Sequence, residues 1–171
     1  MEGKAKQEIL KLVKEISKTS PSGEQFFDEL DERIKSSENK WILFEGVRSI
    51  PKSHTLILSG GMGDRVARGI DLGDLPSYSY ILFKGGIRKS GKVEIVKTSG
   101  QMTNDATFFD DSIYGGLTFF KIKGWLKETK GKYPVPNKCF VIYDGCPEKR
   151  DFVDSLFRYY DFFKATPNYK F

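Results

Sequence analysis

Twice along this chain a short apolar run stops abruptly at small or acidic residues and gives way to a segment of helical periodicity. That alternation restricts the fold more than any other feature. The first run, His54-Thr55-Leu56-Ile57-Leu58, empties into Ser59-Gly60-Gly61-Met62-Gly63 ahead of Asp64-Arg65-Val66-Ala67-Arg68. The second, residues 106–109 (Ala-Thr-Phe-Phe), stops at Asp110-Asp111 and passes through Ser112-Ile113-Tyr114-Gly115-Gly116-Leu117-Thr118 to Phe119, Ile122 and Leu126. Each reads as strand, turn and helix. Further apolar runs at residues 77–84, 92–97 and 139–143 add strands. Strands alternating with helices require a mostly parallel, twisted sheet flanked by helices, an α/β fold, and ligands of such sheets gather beyond the carboxyl ends of the strands.

The remaining elements follow from spacing. Ile9, Leu12, Val13 and Ile16 form one stripe of a helix over residues 4–18, which Ser20-Pro21-Ser22-Gly23 breaks. Ser22 and Gln25 have capping-box spacing ahead of a second helix carrying Phe26, Phe27, Leu30 and Ile34. Its acidic residues Asp28, Glu29, Asp31 and Glu32 are read as complementing the dipole of the early helical turns rather than as metal ligands. Trp41, Ile42, Leu43 and Phe44, within residues 40–47, read as a strand or buried connector that Pro51 ends. Phe152, Val153, Leu156, Phe157, Tyr160 and Phe163 share one helical face, so residues 148–164 are expected to form the last helix with that stripe in the core.

At 171 residues one domain is the expectation, with residues 1–50 as an N-terminal helical segment and 54–164 as the α/β core. The apolar content of 39% supports a packed interior, and the net charge of +5 is a mild bias towards anionic ligands rather than a nucleic-acid signature. Cys139, Cys146 and the lone His54 are too few soft ligands for a zinc site. The N-terminus lacks the apolar core of a signal peptide, and no apolar run approaches the ~18 residues that span a bilayer. A cytoplasmic protein without membrane contact is the resulting expectation.

The chemistry concentrates at residues 110–118. Gly115 and Gly116 let the backbone curl so that several N–H groups face one point, and the following helix adds its free amides and positive dipole end, a cradle suited to phosphate. Asp110 and Asp111 repel phosphate and need sugar hydroxyls or a hydrated Mg²⁺ instead. A ribose carrying a 5′-phosphate satisfies both halves.

The order apolar strand, Asp110-Asp111-Ser112-Ile113-Tyr114-Gly115-Gly116-Leu117-Thr118, helix resembles the phosphoribosyl-pyrophosphate signature of the type I phosphoribosyltransferases, and the element order over about two-thirds of the chain is similar to that family's core. The resemblance implies Mg²⁺-dependent transfer of a phosphoribosyl group from phosphoribosyl pyrophosphate to a nitrogenous base. Asp110 and Asp111 would orient the ribose as the catalytic pair, Mg²⁺ would arrive with the substrate with those two as candidate ligands, and residues Ser112, Ile113, Tyr114, Gly115, Gly116, Leu117 and Thr118 would hold the 5′-phosphate. It further assigns pyrophosphate contacts to Ser59, Gly60 and Gly61, and to Lys84, Arg88 and Lys89 of a flexible loop covering the site, with the N-terminal segment as part of a hood over the base. Phosphoribosyl pyrophosphate or a nucleoside monophosphate would be the ligand, and a homodimer the assembly.

Read from the residues alone, the stretch after Leu58 lacks the Gly-Lys-Ser/Thr of a P-loop and the third glycine of a dinucleotide fingerprint, which leaves an anion-binding loop or a plain tight turn. Gly85-Gly86-Ile87-Arg88-Lys89-Ser90-Gly91 is equally a mobile lid or a solvated hairpin tip. Three positions depart from the family pattern: Tyr114 stands where many members have an acid, Gly115 replaces a hydroxyl residue, and Leu117 removes a polar side chain. A phosphoribosyltransferase-like regulator that binds nucleotide or sugar phosphate without turnover is the alternative reading. A nucleic-acid-binding protein using the basic aromatic residues 164–171 is a third.

Overall fold

A computed structural model describes residues 2–170. The N-terminal stripe forms α1 (Glu2–Thr19), with Ile9, Leu12, Val13 and Ile16 buried. Ser22 Oγ accepts the Gln25 N–H at 3.3 Å and starts α2 (Gly23–Lys35), which buries Phe26, Leu30 and Ile34. The segment expected as a strand or connector is instead α3 (Lys40–Arg48). Ile42, Leu43, Phe44, Gly46 and Val47 are all buried there, and a short apolar run cannot be told from a strand by pattern alone.

The core follows as β1 (Thr55–Ser59), α4 (Gly60–Asp71), β2 (Tyr80–Phe83), α5 (Ile87–Ser90), β3 (Ile95–Ser99), β4 (Ala106–Ile113), α6 (Leu117–Glu128), β5 (Lys138–Asp144), β6 (Val153–Arg158) and α7 (Tyr159–Ala165). The six strands lie in the order β3-β2-β1-β4-β5-β6. All neighbours are parallel except β2 and β3, which run antiparallel. Alternate side chains feed two cores. Leu56, Leu58, Phe109 and Ile142 join the helices α1 to α4 and α7, whereas Ile57, Phe108, Cys139 and Val141 join α5 and α6 on the opposite face. Among the described residues no helix is long and apolar enough to cross a membrane.

Beyond α3, four readings are refined. The strand carrying the acidic pair does not stop at Phe109: Asp110, Ser112 and Ile113 pair with Val141, Tyr143 and Asp144 of β5, because the neighbouring strand is long enough to keep satisfying their backbone groups. The glycine stretch after Leu58 is no extended loop. The turn is compressed into Gly60, whose φ of +67° reverses the chain directly into α4. The connection 85–91, read as a mobile lid or a solvated hairpin tip, contains the one-turn helix α5, whose Ile87 is 2% exposed and anchored in the second core. Residues 148–164 are not one helix but β6 followed by α7. The 3.6-residue aromatic spacing is coincidental: Leu156 and Phe157 are buried from an edge strand paired to β5, while Tyr160 and Phe163 lie exposed at 64% and 40%.

Helix α4 sits on β1 at van der Waals contact through Gly63, where a β-carbon would fall 2.9 Å from Leu58 Cβ and 3.0 Å from the Leu58 carbonyl carbon. Gly63→Ala is therefore expected to cost about 1–3 kcal/mol in denaturant unfolding, since strand backbone cannot yield. Gly61→Ala, with open space around the added carbon, should be neutral or gain up to ~1 kcal/mol through helix propensity.

Candidate active site at the end of β4

The site is built where β4 leaves the sheet. Only residues 114–116 separate the strand from α6, and Gly116, at φ +85°, turns the chain into the helix in a conformation that side chains resist. Gly116 offers no side-chain cap, so first-turn amides of α6 remain for a ligand or water. A cavity of about 240 Å³ opens in front of them, lined by Asp31, Arg88, Phe108, Asp110, Asp111 and residues 112–119.

Three carboxylates face this space. Asp110 accepts the Asp111 N–H at 2.8 Å, and burial, then the charge of Asp111, pushes its pKa well above the ordinary value. Asp111 is 7% exposed and lies 3.7 Å from Lys35 Nζ. Asp31 reaches in from α2. Its pKa is pushed up to about 7, first by burial and then by the Asp111 carboxylate, with which it also hydrogen-bonds. The adjacent like charge disfavours ionisation of Asp31.

A line of hydroxyls extends from the acids. Tyr143 Oη donates to Asp31 Oδ1, and Tyr114 Oη stands 2.6 Å from Tyr143 Oη. With the Tyr143 proton committed to Asp31, Tyr114 is the donor of the second bond. Burial raises the pKa of both phenols. Phe27 packs edge-on to Tyr114 at 5.6 Å and stacks on Tyr143 at 6.0 Å, and a β-carbon on Gly145 would run into the Tyr114 ring. The Tyr114 ring is thus held in one place.

Among solved structures, the orotate phosphoribosyltransferase of Aeropyrum pernix is 10% identical, with 77% of each chain covered and a TM-score of 0.49. A hypoxanthine phosphoribosyltransferase of Staphylococcus aureus is 12% identical over 90% of this chain and 74% of its own, with a TM-score of 0.41. Leishmania donovani UMP synthase is 13% identical over 71% of this chain and 27% of its own, with a TM-score of 0.44. The similarity is to phosphoribosyltransferases. No protein-family model matches the sequence, and no curated protein does. Identities this low carry no residue-by-residue correspondence.

Of the residues singled out from sequence, Asp110, Asp111, Ser112, Ile113, Tyr114, Gly115, Gly116, Leu117, Thr118 and Arg88 are brought together around this one cavity. Ile113 contributes backbone rather than side chain, being 5% exposed in the second core. Ser59, Gly60, Gly61, Lys84 and Lys89 lie outside the lining. Ser59 ends β1, the strand beside β4, and Gly60 abuts Gly85, where an added β-carbon would sit 3.0 Å from the Gly60 Cα. Lys84 is 3.9 Å from Glu94. Among the described residues no group of three or more His, Cys, Asp or Glu is arranged to hold a metal ion by itself.

Asp31, Lys35 and Tyr143 were not picked out by sequence reasoning. The helix-dipole account of the acidic run does not reach Asp31, because Glu24 is the acid in the first turn of α2. The available signal was spacing: Asp31 stands four residues after Phe27, one after Leu30 and three before Ile34, an acid bordering a buried stripe.

The raised pKa has a sign that can be measured. Between the ordinary carboxyl value of 3.8 and about 7, native Asp31 keeps a proton that the unfolded chain has released, so its contribution to stability falls as pH rises through that window. Without added divalent cation, the melting temperature of Asp31→Asn relative to the parent should climb from about pH 4 to pH 7 and then level off. A pH-independent difference would mean that Asp31 ionises like an exposed carboxylate.

Proposed function

We propose that this chain transfers a phosphoribosyl group from phosphoribosyl pyrophosphate to a nitrogenous base. The observation that carries the reading is the shared cavity: uncapped amides of α6 behind the Gly115-Gly116 turn, and the Asp110-Asp111 carboxyls, open onto the same space. A 5′-phosphate suits the amides and the helix dipole, whereas ribose hydroxyls suit the acids. Arg88 adds the cationic side chain in the lining, placed for a phosphate or pyrophosphate oxygen. The carboxyl oxygen atoms beneath the sugar would stabilise positive charge developing at the anomeric carbon as pyrophosphate leaves and the nitrogen of the base bonds there.

The donor set fits Mg²⁺ in a limited way. Asp110 and Asp111 offer hard oxygen atoms for one or two contacts to a hydrated ion, and the remainder of its shell would come from water and substrate. When bound, the ion would neutralise charge on the departing pyrophosphate. Tyr114 is no general base near neutral pH, since burial raises its phenol still further and its proton is engaged with Tyr143. That observation also favours a second reading, in which the site binds a nucleotide or sugar phosphate for regulation and turnover is lost.

Phosphoribosyl pyrophosphate or a nucleoside monophosphate at 100 times its Kd should stabilise the fold by about 2.7 kcal/mol, more strongly with Mg²⁺, and Asp110→Asn with Asp111→Asn should abolish the effect. A thermal-melt titration measures this, and no shift with either ligand at millimolar concentration would overturn the assignment. Pyrophosphate release over a panel of bases then separates the two readings: binding without turnover on any base selects the regulator.

A further inference from the structure

The cavity is not uniform in charge, and its two sides come from opposite faces of the sheet. Arg88 belongs to α5, whose Ile87 anchors in the same core as α6, so the cation and the uncapped α6 amides share one side. Asp31 belongs to α2 in the other core, and it arrives with the Tyr143 and Tyr114 hydroxyls beside it. One side therefore receives anionic groups and the other offers oxygen atoms. Lys35, the cation near Asp31, is placed against Asp111 at 3.7 Å.

Resting on the phosphoribosyl-transfer reading above, we infer that Asp31 selects the acceptor: an uncharged base that presents an N–H group to its carboxyl oxygen, and not a base that carries a carboxylate. With phosphate held at the α6 end and the sugar over Asp110 and Asp111, the space left for the base is the side bounded by Asp31 and Tyr114. An N–H donor meets a carboxyl oxygen there and makes a hydrogen bond. A carboxylated base would place its anion against Asp31 and Asp111. Lys35, 3.7 Å from Asp111, only partly neutralises that wall, and the oxygen atoms of the acids would be left facing another acceptor. Phe27, packed behind both tyrosines, fixes the wall so that it cannot swing away to admit such a ligand. Selectivity by an unpairable polar group is the strong kind, because the wrong ligand strands buried atoms as well as forgoing a bond.

The experiment measures kcat/KM for pyrophosphate release with phosphoribosyl pyrophosphate and Mg²⁺ over two sets of acceptors: adenine, guanine, hypoxanthine, uracil and cytosine, against orotate, nicotinate and quinolinate. The best acceptor should come from the first set and exceed every member of the second by at least 100-fold. If no base turns over while phosphoribosyl pyrophosphate binds, equilibrium binding of nucleoside monophosphates is read instead, and those with uncarboxylated bases should bind at least tenfold tighter than orotidine monophosphate. Asp31→Asn, which removes the charge and keeps the shape, should reduce either discrimination at least tenfold, with phosphoribosyl pyrophosphate binding retained. Preference for a carboxylated acceptor in the parent protein, or unchanged discrimination in a folded Asp31→Asn, overturns this inference and leaves phosphoribosyl transfer standing. Failure of the parent to bind phosphoribosyl pyrophosphate removes both.

Discussion

Everything at this site depends on keeping two carboxyls together that would separate in water. Asp31 faces Asp111 across the seam between α2 and β4, and burial together with the Asp111 charge raises the cost of ionising Asp31. Opposing that cost, Phe26, Leu30 and Ile34 are fully buried on the same helix, worth about 1.5–3 kcal/mol each as transferred side chains. Lys35 supplies partial neutralisation at 3.7 Å, and Tyr143 supplies a proton to the Asp31 oxygen. The apolar stripe thus holds the polar residue where it would not settle alone. A site whose groups are held against their preference is already arranged when ligand arrives, so less ordering remains to be done on binding.

The continuity of β4 has a similar logic. Sequence suggests that a strand ends where charge begins, yet the ladder to β5 runs on to Ile113 and carries the acids with it. Backbone pairing fixes Asp110 more rigidly than a loop would, and loops are where positional error enters a site. The flexible part shrinks to residues 114–116, and there Gly145 leaves room for the Tyr114 ring while Phe27 packs against it. Phosphate-side and sugar-side groups are therefore referenced to a single sheet edge.

Much of this was legible in the chain, and the exceptions share a cause. The buried runs at 55–59, 80–83 and 139–143, and the stripes of α1, α2 and α6, announce themselves because each has a single apolar face or a short all-apolar span bounded by turn residues. Helix α3 is hidden because it is short and its run Trp41-Ile42-Leu43-Phe44 is continuously apolar, which reads equally as a strand. Strand β6 is hidden because its aromatic spacing mimics a helix, and only pairing with β5 distinguishes the two. Asp110 and Asp111 stand out by being adjacent, whereas Asp31 is 79 positions from Asp110, as their numbers give, and meets it only through the docking of α2. Local pattern reports local structure, so the partner across the seam needed the tertiary fold.

One consequence follows from the two cores. The sheet separates them, and the helices of one do not otherwise need those of the other in order to pack. Asp31 from the first and Arg88 from the second meet at the same opening. A ligand gripped by both would act as a clasp joining the two layers. Amide hydrogens of α2 and of α5 would then slow their exchange together on binding, although the two helices pack in different cores.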